Sequence, residues 1–196
     1  MLLKMTVAVV AMGLCTVSSQ AQMNTDTPAK TAARANTPAK SLDELLNMFE
    51  GEAIGVAKAM PAEKYGFAPN AAIFATAQPT KFETVRTFAE QVAHLAEANY
   101  YFYSSLSGLK PDVDMEKIGK LTTKDELVSA LAASFVFAHK AVGTITSENA
   151  FLPIKPVDGM DTRMSLAAFG VAHGYDHYGQ MVEYLRMNGI VPPGSK

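Results

Sequence analysis

Apolar residues recur at three- and four-residue intervals along four stretches of the chain, the spacing that lines one face of an α-helix. In the first stretch Leu42, Leu45, Leu46, Phe49 and Ile54 follow Ser41-Leu42-Asp43-Glu44. That tetrad has the form of a capping box, in which the serine accepts from a free amide and the glutamate reaches back to the cap. Met60-Pro61 ends the helix, because a residue before proline is pushed out of the helical region. Residues 61–81 hold Gly66, Pro69, Asn70 and Pro79 and read as a long connection. Tyr65, Phe67, Ile73 and Phe74 within it are expected to tuck onto the core.

Two further boxes, Thr80-Lys81-Phe82-Glu83 and Thr87-Phe88-Ala89-Glu90, offer starts for a second helix. Thr87 is favoured, since Phe88, Val92, Leu95 and Phe102 then run unbroken toward Gly108 and Pro111. Thr123-Lys124-Asp125-Glu126 opens a third helix through Leu127, Leu131, Phe135 and Phe137 to about Thr144. Residues 147–159, with Pro153 and Pro156, read as a loop. Asp161 is the expected cap of a fourth helix carrying Leu166, Phe169, His173, His177, Gln180, Tyr184 and Met187. Asn188-Gly189 stops it, and Pro192-Pro193 follows. Gly170, Gly174 and Gly179 each weaken that helix by roughly 1 kcal/mol relative to alanine, which points to a close neighbour or to room beside the histidines. No strand of useful length is expected. Four helices with apolar faces predict an all-α, four-helix bundle.

The N-terminal part has another character. Lys4 precedes the apolar run Met5 to Leu14, and Ser19-Gln20-Ala21 is a small-x-small cleavage site, so residues 1–21 read as a signal peptide. The run is too short to span a bilayer. Residues 22–40 repeat Thr-Pro-Ala-Lys and contain no large aliphatic or aromatic side chain, the composition of a flexible linker. The folded domain is then residues 41–196 of an exported protein, periplasmic or secreted. Cleavage removes Lys4 and the only cysteine, Cys15, taking the net charge from −2 to −3. The mature chain then has no disulfide, thiolate ligand or cysteine nucleophile. Its acidic balance, without clustered Lys or Arg, excludes nucleic acid as the expected partner. No other run is apolar enough to be a transmembrane segment.

Candidate chemistry rests on the four histidines. His173 and His177 are spaced to stack on one helical face, the geometry of part of a transition-metal site. His94 lies mid-way along the second helix among Ala93, Leu95 and Ala98, where a buried ring needs a partner. Facing helices of a bundle can bring such a ring beside a pair from another helix. Three imidazoles would leave one or more metal positions open, which is the catalytic rather than the closed structural pattern. Glu97, Asp176, Gln180 and Tyr178 are candidate supports for the rings. Asp176 can equally be a solvated surface residue and Tyr178 an interface ring. His139 has no second ligand one turn away and reads as a surface or satisfied structural histidine. One ring of Tyr100-Tyr101-Phe102-Tyr103 could wall a pocket near His94. A ferritin-like di-iron site is excluded because neither His94 nor His173 has Glu three residues before it. Gly174 stands where a His-Glu-x-x-His protease needs its glutamate. No phosphate-cradling Gly-rich loop or nucleophile-elbow motif is present.

Three pieces carry a resemblance: Met60-Pro61-Ala62-Glu63-Lys64-Tyr65-Gly66-Phe67-Ala68-Pro69; Val85 to Ala96 around His94; and His173-x-x-x-His177-Tyr178-Gly179-Gln180 continuing from Tyr184 to Pro193. In these the chain resembles the DinB-like (DinB/YfiT) superfamily of metalloenzymes. The resemblance implies an up-and-down four-helix bundle and a divalent metal ion, zinc or nickel, on His94, His173 and His177. It also implies transfer or rearrangement reactions that use low-molecular-weight thiols. The export signal sets this chain apart, because cytosolic thiols do not follow it outside. The expected function is therefore a divalent-metal-dependent transferase or hydrolase acting on a small-molecule substrate, with thiol or water as nucleophile. A non-catalytic metal-binding or interaction domain, and a purely structural bundle, are the alternatives. A homodimer through helix faces fits the same pattern.

Overall fold

A computed structural model describes residues 36–76 and 79–195, so the expected signal peptide and most of the expected linker lie outside the described residues. The described chain is mostly helical. It has four long helices, α1 (Pro38–Ala59), α2 (Phe88–Ser107), α4 (Lys124–Val142) and α5 (Arg163–Met187), with one short helix, α3 (Met115–Ile118). Helix α2 packs on α4 and α5, and α1 packs on the same two helices. Among the described residues no helix is long and apolar enough to cross a membrane.

The caps fall largely where the side chains dictate. Thr87 and Thr123 each close a complete capping box, with Glu90 and Glu126 returning to the cap amide. Gly108 terminates α2 in the left-handed conformation at φ 75°, which glycine adopts without a Cβ clash. Met60 caps α1, and Lys124 Nζ donates to the carbonyls of Lys58 and Met60 at 2.7 and 2.8 Å, tying the start of α4 to the end of α1.

Three boundaries differ from expectation. Helix α1 begins at Pro38 with Thr37 as its cap, so the Ser41 box is inside the helix and part of the expected linker is ordered. Pro38 is preset for a first helical turn and has no amide to leave unpaired. Helix α5 is capped by Thr162 rather than Asp161, because Ser165 three residues on completes a reciprocal pair with the threonine. Within the expected loop of residues 147–159, β1 (Pro153–Val157) instead forms a strand and pairs antiparallel with β2 (Met160–Thr162), which takes in the expected cap Asp161. The turn between them is Asp158-Gly159, both at positive φ, 46° and 82°, the geometry that suits a two-residue hairpin loop.

The core lies between the four long helices and includes Leu46, Phe49, Leu95, Tyr103, Phe135 and Leu166, all buried. Phe49 sits between Phe135 and Tyr175, at ring-centroid distances of 5.4 and 5.0 Å. Tyr65 and Phe67 of the connection reach the core as expected, whereas Ile73 is exposed and Phe74 pairs with Phe82 at 6.3 Å. The connection also completes the start of α2, since the amides of Phe88 and Ala89 donate to the carbonyls of Phe67 and Tyr65. The buried pair Asn99–Ser134, 3.0 Å apart, joins α2 to α4 without leaving either polar group unpaired.

Candidate metal centre

Helix α2 turns His94 toward α5, and the one-turn spacing on α5 presents His173 and His177 to it. One ligating nitrogen from each ring lies within 4.8 Å of the others. The ring centroids of His94 are 5.3 Å from His173 and 4.5 Å from His177, and those of His173 and His177 are 4.7 Å apart. His177 is buried and the other two are half-buried. The three histidines expected from the sequence are therefore one cluster.

That approach depends on glycine. At Gly174, between the two histidines, a Cβ would overlap the Phe49 ring of α1. At Gly170 it would sit 3.1 Å from the Tyr103 hydroxyl of α2. Gly179 has open space around it and has no such role. The two crowded glycines let α5 lie close against α1 and α2 while its histidines face inward.

Electrostatics favour the neutral rings that a cation requires. Burial lowers the pKa of His94 to about 4, assisted by the charges of Arg86, His177 and His173. Burial, then the neighbouring His173, takes His177 to about 4, with Asp176 acting in the opposite direction. His173 is also lowered by burial, against the carboxylates of Asp176 and Asp158.

The donor set suits a metal ion. His94 Nε2 and His173 Nε2 face one another at 3.2 Å. Two imidazole nitrogens that face one another in this way would hold one divalent ion between them, with His177 beside them as the third donor. His177 Nδ1 lies 2.8 Å from the Gln91 amide oxygen, an acceptor, so Nδ1 carries the hydrogen and Nε2 keeps its lone pair. Gln91 is 1% exposed. Its amide NH2 donates to Gln180 Oε1 at 2.8 Å, and Gln180 Nε2 donates to Asp176 Oδ2 at 3.1 Å. This relay fixes the orientation of both amides and ends on an exposed carboxylate.

The expected supports divide. Gln180 and Asp176 act through the relay. Tyr178 packs against Tyr175 at 5.8 Å. Glu97 accepts from the Gly119 amide rather than from a histidine, and burial raises its pKa. Gln91 adds a support that its sequence position does not announce: it is one turn before His94, but nothing in its type signals a meeting with His177. His139 stands apart, with Nδ1 2.6 Å from Asp43 and Nε2 3.1 Å from Glu50 of α1. Burial alone would lower its pKa, but these hydrogen bonds and charges outweigh it and hold the pKa above the ordinary value. It is a paired structural histidine.

The cluster is accessible. A cleft of about 470 Å³ reaches His94 and His173 and is walled by Ala98, Tyr101, Phe102 and Met115, with Glu97, Glu116 and Asp158 also lining it. A smaller recess of about 210 Å³ on another side of His94 holds Arg86, Glu90 and Glu97.

A helical protein with an inter-helix histidine triad beside an open cleft defines the class. The family model described as the DinB superfamily matches residues 45–181, and the chain belongs to that superfamily. No curated protein matches the chain.

Proposed function

We propose that the protein is an exported enzyme, built on an up-and-down four-helix bundle, that uses a divalent metal ion, zinc or nickel, on His94, His173 and His177. The observation that carries this reading is the convergence of three neutral imidazoles beside a cleft large enough for a small molecule. When bound, the ion supplies Lewis acidity that lowers the pKa of a water or thiol, making a nucleophile near neutral pH. The chain's own residues do the rest. Gln91 holds His177 in one tautomer and one orientation. The walls at Ala98, Tyr101 and Phe102 hold a small electrophile and limit water around it. Glu97 lines the same cleft as His94, and its raised pKa suits it to take and return a proton there. The export reading rests on Lys4, the apolar run to Leu14, and Ser19-Gln20-Ala21.

Elemental analysis of protein purified without a histidine tag, alongside His94→Ala, tests the proposal. One equivalent of divalent metal in the parent, and loss of metal together with turnover in the variant, is the expected result. Turnover that persists in metal-free protein rejects the mechanism.

A further inference from the structure

One face of α2 runs from the histidine cluster to the protein surface. His94, Ala98, Tyr101 and Phe102 follow at the spacing that keeps them on one side of the helix. The cleft of about 470 Å³ opens on that face, and Met115 of α3 and His173 of α5 line it as well. Its accessible lining is almost wholly apolar, and the carboxylates of Glu116 and Asp158 contribute little of it. Among the described residues no lysine or arginine lines it; Arg86 belongs to the separate recess. Aromatic rings continue the lining inward. The exposed Tyr101 ring lies 5.3 Å from that of the buried Phe102, and Phe102 stands edge-to-face with His173 at 5.2 Å. Phe169, one turn before His173 on α5, also meets Phe102, at 5.4 Å.

We propose that this cleft selects an uncharged, largely apolar molecule of about two rings, seated with its reactive group toward His94 and His173. This names the substrate class of the metal site and rests on that reading for the reactive end alone. An apolar cavity of about 150 Å³ holds one benzene ring, and roughly three times that volume takes a second ring and a short substituent. A charged group drawn into the cleft would give up water without gaining an ion pair. An uncharged ring exchanges water for the Tyr101 and Phe102 rings and the Met115 side chain. Phe102 is held by Phe169 and His173 before a ligand arrives, so little ordering is required of it on binding. Met115 is half-buried, and its unbranched side chain adapts to the outline of the ligand. Ala98 sets the depth. A helical side chain leans over the preceding turn, so a longer one at this position would cover His94 and fill the cleft.

Three naphthalene probes of similar shape and different charge test this: naphthylmethanol, naphthylmethylammonium and naphthalenesulfonate. Benzyl alcohol gives the one-ring comparison. Each is titrated into isotope-labelled full-length protein in chelator, so that no ion attracts the sulfonate, and followed by amide chemical shifts. Zinc uptake is measured on the same preparation. Naphthylmethanol should bind roughly tenfold more tightly than either charged probe and than benzyl alcohol, with shifts around residues 94–102, 115–118 and 169–173. Salt should leave its affinity nearly unchanged. Tyr101→Ala should weaken it by about threefold or more, and Ala98→Leu by about tenfold or more, while both variants take up zinc as the parent does. Position 101 is exposed and tolerates truncation, so Tyr101→Ala decides even where Ala98→Leu does not fold. A charged probe that binds as tightly, no binding of naphthylmethanol, no gain from the second ring, or an unchanged affinity in Tyr101→Ala would each overturn the proposal. Preference for naphthylmethanol in protein that takes up no zinc upholds the cleft assignment and removes the metal reading alone. Zinc uptake without binding of naphthylmethanol does the reverse.

Discussion

Replacing Gln91 with leucine separates the support of His177 from the ligand itself. Gln91 is fully enclosed, and leucine keeps most of its volume and apolar contact. What disappears is the acceptor 2.8 Å from His177 Nδ1 and the donor 2.8 Å from Gln180 Oε1. A buried N–H left without a partner costs about 1–3 kcal/mol. Loss of a residue that orients a metal-bound histidine weakens metal binding about 10–100-fold, equivalent to about 1.4–2.8 kcal/mol. The two estimates overlap because they describe the same event: the ring is free to turn or to change tautomer, and Nε2 is no longer held toward the other two nitrogens. Competition for zinc against a chromophoric chelator near pH 7 measures the effect directly. Thermal melts in chelator give the accompanying loss of stability without metal. Gln91→Glu provides the contrast, since a carboxylate still accepts from Nδ1 although it repels Gln180 Oε1, so its affinity should fall less than that of the leucine variant. Zinc affinity of Gln91→Leu within twofold of the parent would refute the claim that this amide holds the histidine.

Other consequences follow from the same geometry. Gly174→Ala places a methyl group against Phe49, so it should lower stability by at least 1–3 kcal/mol, the usual cost of overpacking, and reduce metal uptake; an unchanged denaturation midpoint and metal content would contradict the close packing. Thr37→Ala should cost about 1 kcal/mol through loss of the α1 cap, whereas Ser41→Ala should be nearly neutral; the opposite order in denaturant melts would return the helix start to Ser41. In chelator, the pH dependence of stability has a definite sign. His94 and His177 titrate near 4 when folded and near 6.5 when unfolded, so below about pH 6.5 the unfolded chain binds more protons, and stability falls as pH drops toward 4. His139 works in the opposite direction, since its raised pKa gives stability that is full at low pH and fades as pH rises through the folded value. Melts from pH 7.5 to 4.5 should show a net fall on acidification that flattens in a His94→Ala, His177→Ala variant; an equally steep fall in that variant would show that the triad does not carry the effect.

How much of this could be read from the chain varies with the range of the interaction. Thr87 with Glu90, and Thr123 with Glu126, are signals contained in four residues, and those helix starts followed directly. The relation between His173 and His177 is also local, one turn of α5. His94 has no such local partner; its apolar neighbours Ala93, Leu95 and Ala98 indicate an inward face, and the chain holds only four histidines. The hairpin is hidden in the sequence because Pro153 and Pro156 point to a loop, although Asp158-Gly159 is a strong turn signal. Helix α3 has only four residues, too few for a period to register. Thr37-Pro38 carries a start signal that the bland composition around it concealed. Gln91 is the clearest limit. Its role arises because α2 and α5 pack at one particular register, and no local feature of α2 announces which residue will meet Nδ1 of a ring on α5.

X-ray absorption at the zinc edge, on zinc-loaded protein without a histidine tag, tests the central assignment most directly. The spectrum should show three imidazole nitrogens at about 2.0–2.1 Å, and His94→Ala should lose one of them or fail to load. A zinc ion with one imidazole or none, or a spectrum unchanged by removal of His94, would contradict a metal centre shared by α2 and α5.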